Sequence, residues 1–406
     1  MRLVEYTSTD FTCQRKVYLI GMRQSFIRIL FRVAGIAVLL TGLASPVAAK
    51  ELATDTGASI DMPSGFTPGD GDGKTHFSYF DSNDGMEFDI LIFEPGRYSS
   101  ASIMAADLLG QMGSKGDISS FTYQGRGAVL ADLDFAVNGI SRKGNAVFIS
   151  ARSENSYALV ASATASRYDS YSELIISCLD AFSIDRTARR FPGPVSQFLF
   201  PWPVARTEKK TAVLPAGSIS LPWSAKEEQE ELSVIEREYH VLTMYLKSET
   251  LWVDAWARYY RMVYKESAAR LDNLTQAFSN SLPAHDPTES ARRVLAWVQG
   301  FLYERNFAGI DFVPPLTAAF EKRGDCDSRA MVMGIILERL GIDSVLMVSR
   351  EYSHAMLAVD VPGGGQRFTY NGKAYLVAET TAKVGIGKID SSQADFSKWL
   401  GVDLGE

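Results

Sequence analysis

The hydrophobic period of this chain changes along its length, and the order of the changes constrains the fold more than any other feature. Between residues 51 and 185, apolar and polar residues alternate in short runs: "THFSYF", "MEFDILIFE", "SSFTYQGRGAVLADLDFAVNGI", "GNAVFISARSE" and "SYALVASATA". Turn residues such as Ser82-Asn83-Asp84-Gly85 and Asn138-Gly139 separate them, as expected of strands joined by tight turns. Helical spacing in this region is confined to residues 102–112 and 169–182. The first region therefore reads as an antiparallel sheet with flanking helices, and the fold class is α+β.

Residues 186–224, which contain "RRFPGPVSQFLFPWPVARTEKKTAVLPAGSISLPW" at 189–223, read as an extended linker in which Pro192, Pro194, Pro201 and Pro203 oppose helix. From residue 225 the period is helical. Ser224 stands as an N-cap with acidic residues in the first turn behind it, and "ETLWVDAWARYYRMVYKESAARLDNLTQAF" continues as a second helix. Asp286-Pro287 opens a third as cap and first helical residue. Trp252, Trp256, Tyr260 and Val263 share one face and read as core. His240 and His285 lack a second ligand at helical spacing and His76 stands alone among strands, so no metal and no cofactor are expected; no calcium loop of the EF-hand type is present either.

The N-terminus reads as a targeting segment. From Met22, an alternative start, Arg23, Arg28 and Arg32 precede an uncharged apolar stretch at 33–43 that closes on Val47-Ala48-Ala49. This is the pattern of a cleavable signal peptide spanning residues 1–49, cut after Ala49, for a periplasmic or secreted protein. The apolar stretch is too short to span a bilayer, so membrane contact is expected only if the signal stays uncleaved. Removing residues 1–49 takes the net charge from −7 to about −11, which excludes a general field for nucleic acid.

Loss of Cys13 with that segment leaves Cys178 and Cys326, either a disulfide or two separate thiols. Cys178 lies on an apolar helical face with Leu174, Ile175, Leu179 and Phe182 and reads as core. Cys326 is different. In "RGDCDSRAMVMGIILERLG", Asp325 caps a helix whose apolar stripe is Ala330, Met333, Ile336, Leu337 and Leu340, and Gly341 closes it. A thiol in the first turn gains from the helix dipole, whereas Asp325 and Asp327 oppose its ionisation. His354 heads a strand at 354–361, after another at Ser344–Ser349, and "KAYLVAETTA" brings Glu379 to the end of the next. On adjacent antiparallel strands a carboxylate reaches an imidazole, giving nucleophile, base and orienting acid in Cys326, His354 and Glu379. Asp360 is the alternative orienting acid.

These residues resemble the transglutaminase-like superfamily, which shares the papain-like core. The resemblance rests on Gly324-Asp325-Cys326-Asp327, Gly341-Ile342, His354-Ala355 and Glu379-Thr380, with Trp297 and Tyr303 on the preceding helix. It covers residues 287–390 within a domain of 225–406, and departs from the family in having glutamate where aspartate is usual. It implies acyl transfer through a thioester on a peptide or protein substrate: a peptidase or amidase with water as acceptor, or cross-linking with an amine. A degenerate domain that binds peptide without turnover is the alternative. In the N-terminal domain, the opening "MPSGF", the strand set and the final helix ending in "AFSI" resemble the PsbP-like fold. That resemblance implies a binding module with a possible protein partner.

Overall fold

The computed structural model describes residues 51–81, 85–282, 286–305, 310 and 312–404. The expected signal segment with Cys13, the expected turn at Ser82-Asn83-Asp84, and His285 lie outside the described residues. The fold is α+β, with an N-terminal antiparallel sheet and its helices, a central helical segment, and a C-terminal antiparallel sheet.

In the first region β1 (Glu51–Ala53) and β2 (Ser59–Asp61) precede β3 (Phe66–Pro68), β4 (His76–Asp81), β5 (Glu87–Phe93) and helix α1 (Ala101–Met112). Then come β6 (Ile118–Tyr123), β7 (Arg126–Val137), β8 (Ile140–Ser150), β9 (Ser156–Thr164), helix α2 (Tyr168–Asp180) and β10 (Phe182–Ser183). Strands β3 to β9 form a seven-stranded sheet in the order β3-β4-β5-β9-β8-β7-β6, while β1, β2 and β10 form a small sheet of their own. Register follows from turn chemistry. Asn138 and Gly139 both have positive φ, and so do Gln124 and Gly125, so each pair makes a two-residue turn whose twist matches the strands it joins. Helix α1 begins one residue before the expected position because Ser100 accepts a bond from the Ile103 N–H. Cys178 is fully buried in the core beneath α2 and is a free thiol, as is Cys326. His76 is not alone: buried in β4, it sits 3.0 Å from Asp89 on the neighbouring strand.

The proline-rich stretch is more structured than an extended spacer. It holds helix α3 (Pro194–Leu199) and a hairpin of β11 (Glu208–Leu214) and β12 (Gly217–Trp223). Pro194 occupies the first turn of α3, where a missing N–H is no loss, and Pro222 falls in a two-stranded ribbon that is all edge. Helices α4 (Ala225–Thr243), α5 (Trp252–Ser267), α6 (Asp272–Ser281) and α7 (Pro287–Val298) follow, and Trp297 Nε1 donates to Val213 O at 2.7 Å to seat the hairpin. The acidic start of α4 does more than face solvent. Glu227, Glu230, Glu231 and Glu238 are buried; Glu231 accepts the Leu316 N–H, and the other three face arginines. Arg206 grips Glu227 with bonds of 2.6 and 2.7 Å, and Arg270 pairs with Glu266. Arg258 on α5 reaches Asp61 O, Glu238 Oε2 and Ser177 O, joining β2, α4 and α2.

The C-terminal region contains β13 (Leu302–Tyr303), α8 (Pro315–Glu321), β14 (Arg323–Gly324), α9 (Cys326–Arg339), β15 (Ser344–Ser349), β16 (His354–Val359), β17 (Arg367–Tyr370), β18 (Lys373–Ala378) and β19 (Leu400–Asp403). The last five form an antiparallel sheet in the order β17-β18-β16-β15-β19. Helix α9 lies on this sheet with α7 and α8 against it, and residues 330–337 are buried all round rather than along one stripe.

Two stability effects follow. Arg258→Met leaves Glu238 to Arg237 and the Ser177 hydroxyl but removes one charged partner and the donor to Asp61 O and Ser177 O, and should destabilise the protein by about 1.5–3 kcal/mol in denaturant titration. Burial raises Glu231 to about 8, against the pull of Arg270. Since its unfolded value is about 4.3, ionising it in the folded state is unfavourable, and its contribution to stability falls as pH rises between those values. Glu231→Gln should therefore raise Tm more at about pH 8 than at about pH 5, flattening the pH profile without abolishing it, because Glu266 is also raised, to about 7.

Candidate active site around Cys326

Local geometry delivers Cys326 to the head of α9. Lys322 closes α8 with φ of 54°, and the chain turns back through β14, which pairs in parallel with β13. Gly324 has φ of 151°, and a Cβ there would stand 2.7 Å from Ser328 Cβ, so only glycine brings the chain this close to the helix. Asp325 then caps α9, its Oδ1 accepting the Ser328 N–H at 2.9 Å and hydroxyl at 2.6 Å. Because Tyr303 is opposite Gly324 in the β13–β14 pair, its phenol reaches the Cys326 thiol.

The thiol is 5% exposed and protonated. Burial, then Asp327, then Asp325 push it well above its ordinary value, against a bond from the Ala355 N–H. Its Sγ–H points to Asp327 Oδ1 at 3.5 Å, and Asp327 Oδ2 accepts the Tyr260 hydroxyl at 2.9 Å. The helix dipole is thus outweighed by desolvation and two carboxylates.

His354 and Glu379 meet. Their strands β16 and β18 pair directly, and His354 Nε2 lies 2.8 Å from Glu379 Oε2. Glu379 follows the last residue of β18, and the other oxygen accepts the Thr381 N–H and hydroxyl, so the longer glutamate side chain is held at both ends. Although burial raises Glu379, its bonds to His354 and Thr381 leave it below the usual carboxylate value. An ionised Glu379 draws the proton to Nε2 and leaves Nδ1 as the basic nitrogen. Cys326 joins the pair through the backbone of Ala355, the residue after His354. Asp360 does not: exposed on the far side of the strand end, it pairs with Lys373 at 2.8 Å.

Two residues of this region lay outside the sequence reading. Arg329, 2% exposed, donates to Gly324 O, Phe301 O and Thr380 O, and stacks on Tyr303 at 5.3 Å. One guanidinium thus bridges the loop before Cys326, the exit of α7 and the loop after Glu379. Gln299 donates to Glu379 O at 2.8 Å and Val384 O at 2.9 Å, fixing that loop from α7. Only an arginine one turn into an apolar helix could have signalled the first, and no pattern signalled the second.

Among the described residues, Asp325, Cys326 and Asp327 bring three ligand-type atoms within 4.8 Å of one another. Asp325 is already committed to its cap, so the set is built for the helix start.

No protein-family model matches the chain, and no curated protein sequence matches it. Solved structures give weak likenesses. The cyanobacterial PsbP protein CyanoP from Synechocystis is 12% identical, with 38% of this chain and 98% of that one covered and a TM-score of 0.29. A protein from Bacteroides thetaiotaomicron is 10% identical over 81% of this chain and 89% of that one, with a TM-score of 0.25. A candidate cysteine protease from Cytophaga hutchinsonii is 11% identical over 82% and 88%, with a TM-score of 0.22. Scores this low carry no argument about the site.

Alkylation of Cys326 by iodoacetamide should be slow at about pH 8 in the free protein. Asp327→Asn removes the larger of the two acidic influences and should speed labelling several-fold, on the order of tenfold per unit of pKa recovered. An unchanged rate, read by mass spectrometry, would mean that burial alone controls the thiol.

Proposed function

We propose that this chain is an exported cysteine-dependent acyl-transfer enzyme of transglutaminase-like type, acting as a peptidase or amidase through Cys326, His354 and Glu379. The observation that carries this reading is the 2.8 Å imidazole–carboxylate contact beside a thiol that accepts a bond from the residue following the histidine. In the reaction, His354 Nδ1 takes the Cys326 proton as Sγ attacks the amide carbon. The backbone N–H of Cys326, in the first turn of α9, serves as an oxyanion donor. Return of the proton to the amine releases the first product and leaves a thioester. Water, deprotonated by the same nitrogen, then cleaves the thioester, releasing the acid and restoring the thiol. Asp325 and Asp327 oppose a standing thiolate, so deprotonation accompanies attack. Leu302 and Tyr303, exposed next to the thiol, offer apolar surface to a peptide side chain. In the same reading, residues 51–185 form a module for a protein partner, 186–224 connect it to the domain of 225–406, and cleavage after Ala49 delivers the protein to the periplasm or beyond.

The test is hydrolysis of a glutamine-containing peptide library by the whole chain, with a labelled amine present. Cys326→Ala should abolish turnover, and Glu379→Gln should lower kcat by roughly 100-fold to 10,000-fold. Amine incorporation exceeding hydrolysis would replace the peptidase reading by cross-linking. The burial of the thiol favours a second reading, a peptide-binding domain without turnover. Its signature is saturable peptide binding that Cys326→Ala leaves intact, with no product formed by the wild type.

A further inference from the structure

Where the small sheet of β1, β2 and β10 meets α5 and β19, a cavity of about 60 Å³ opens among charged side chains. Ser59, Asp61, Ser183, Arg189, Arg261 and Lys265 line it, and none of them belongs to the Cys326 site. The volume suits a few water molecules or one small oxyanion.

Lys265 sets the chemistry. The residue is 6% exposed, and its ammonium donates to the Ser183 hydroxyl. The acids around it are each taken by an arginine. Arg261 holds Asp61 through bonds of 2.6 and 2.8 Å, Arg189 holds Glu51 at 2.5 Å, Arg237 holds Asp180 at 2.7 Å, and Arg270 holds Glu266. Asp403, the remaining acid of the lining, sits half-buried on β19 and has contacts of its own. Among the described residues no carboxylate forms an ion pair with Lys265, although an ammonium has three protons to place. Holding such a charge away from water without a counter-ion is unfavourable, and burial lowers the lysine to about 8.

We propose that this cavity binds a small oxyanion, a phosphate or a short carboxylate, on Lys265 Nζ and the Ser59 and Ser183 hydroxyls. Arg189 and Arg261 hold Glu51 and Asp61 in ion pairs, so these acids are already matched and the anion neutralises the buried ammonium. Because its lining comes from the small sheet, α5 and β19, a bound anion ties the N-terminal region to the rest of the chain.

Isothermal titration calorimetry of the whole chain with potassium phosphate, and separately with sodium acetate, tests this in chloride-balanced buffer. The expected result is saturable one-site binding, weakened about tenfold or more by Lys265→Met and kept within about threefold by Lys265→Arg. The tighter of the two anions identifies the source. Should Lys265→Met fail to fold, Ser183→Ala carries the comparison, with an expected loss of roughly threefold to tenfold. Absence of saturable binding of either anion to the wild type, or binding undiminished in Lys265→Met and Ser183→Ala alike, overturns the proposal.

Discussion

The buried ion pairs between α4, α5 and the segments before them are the constraint on which the rest of the structure depends. Glu227 and Glu238 have no exposure worth the name, and a carboxylate so placed survives only with charged hydrogen-bonding partners. Arg237 lies beside Glu238 on α4, but the other partners come from far away in sequence: Arg206 from the segment before β11, Arg270 from the turn after α5, Arg258 from α5 itself. Apolar packing would have tolerated sliding between these surfaces. Ion pairs with directed hydrogen bonds permit one arrangement, because a displaced partner leaves a charge without water or counter-charge.

That rigidity reaches the thiol through Tyr260. It stands on the same helix as Arg258, and its hydroxyl holds Asp327, the residue that most strongly raises Cys326 after burial. On the opposite side Arg329 binds carbonyls of three loops. The site is thus assembled from backbone carbonyls and caps more than from side chains chosen for reactivity. A protonated thiol is the consequence, since neighbouring negative charge and low exposure act in the same direction.

Much of the fold was legible because it rests on short-range rules. Alternation revealed the strands of the first sheet, Asn138-Gly139 marked a hairpin, and Asp286 and Asp325 capped the helices they precede. That His354 and Glu379 would meet was expected from treating their strands as consecutive, although β17 intervenes in sequence and pairs on the outer edge of β18. Strand β17 was missed although Asn371-Gly372, both at positive φ, marks its hairpin as plainly as Asn138-Gly139 does. The β11–β12 hairpin was hidden by prolines that read as an extended linker. The acids of α4 read only as favourable charges at a helix start, because nothing local announces an arginine dozens of residues distant.

By itself, the sequence determined the α+β class, most elements, and the capped helix that carries Cys326, since period, turn residues and caps act within a few residues. Tertiary structure decided the charge state of that cysteine, the pairing of the buried acids, and the unpaired ammonium of Lys265. Those outcomes depend on solvent exclusion and on distances between groups remote in the chain, and electrostatic energy is set by both.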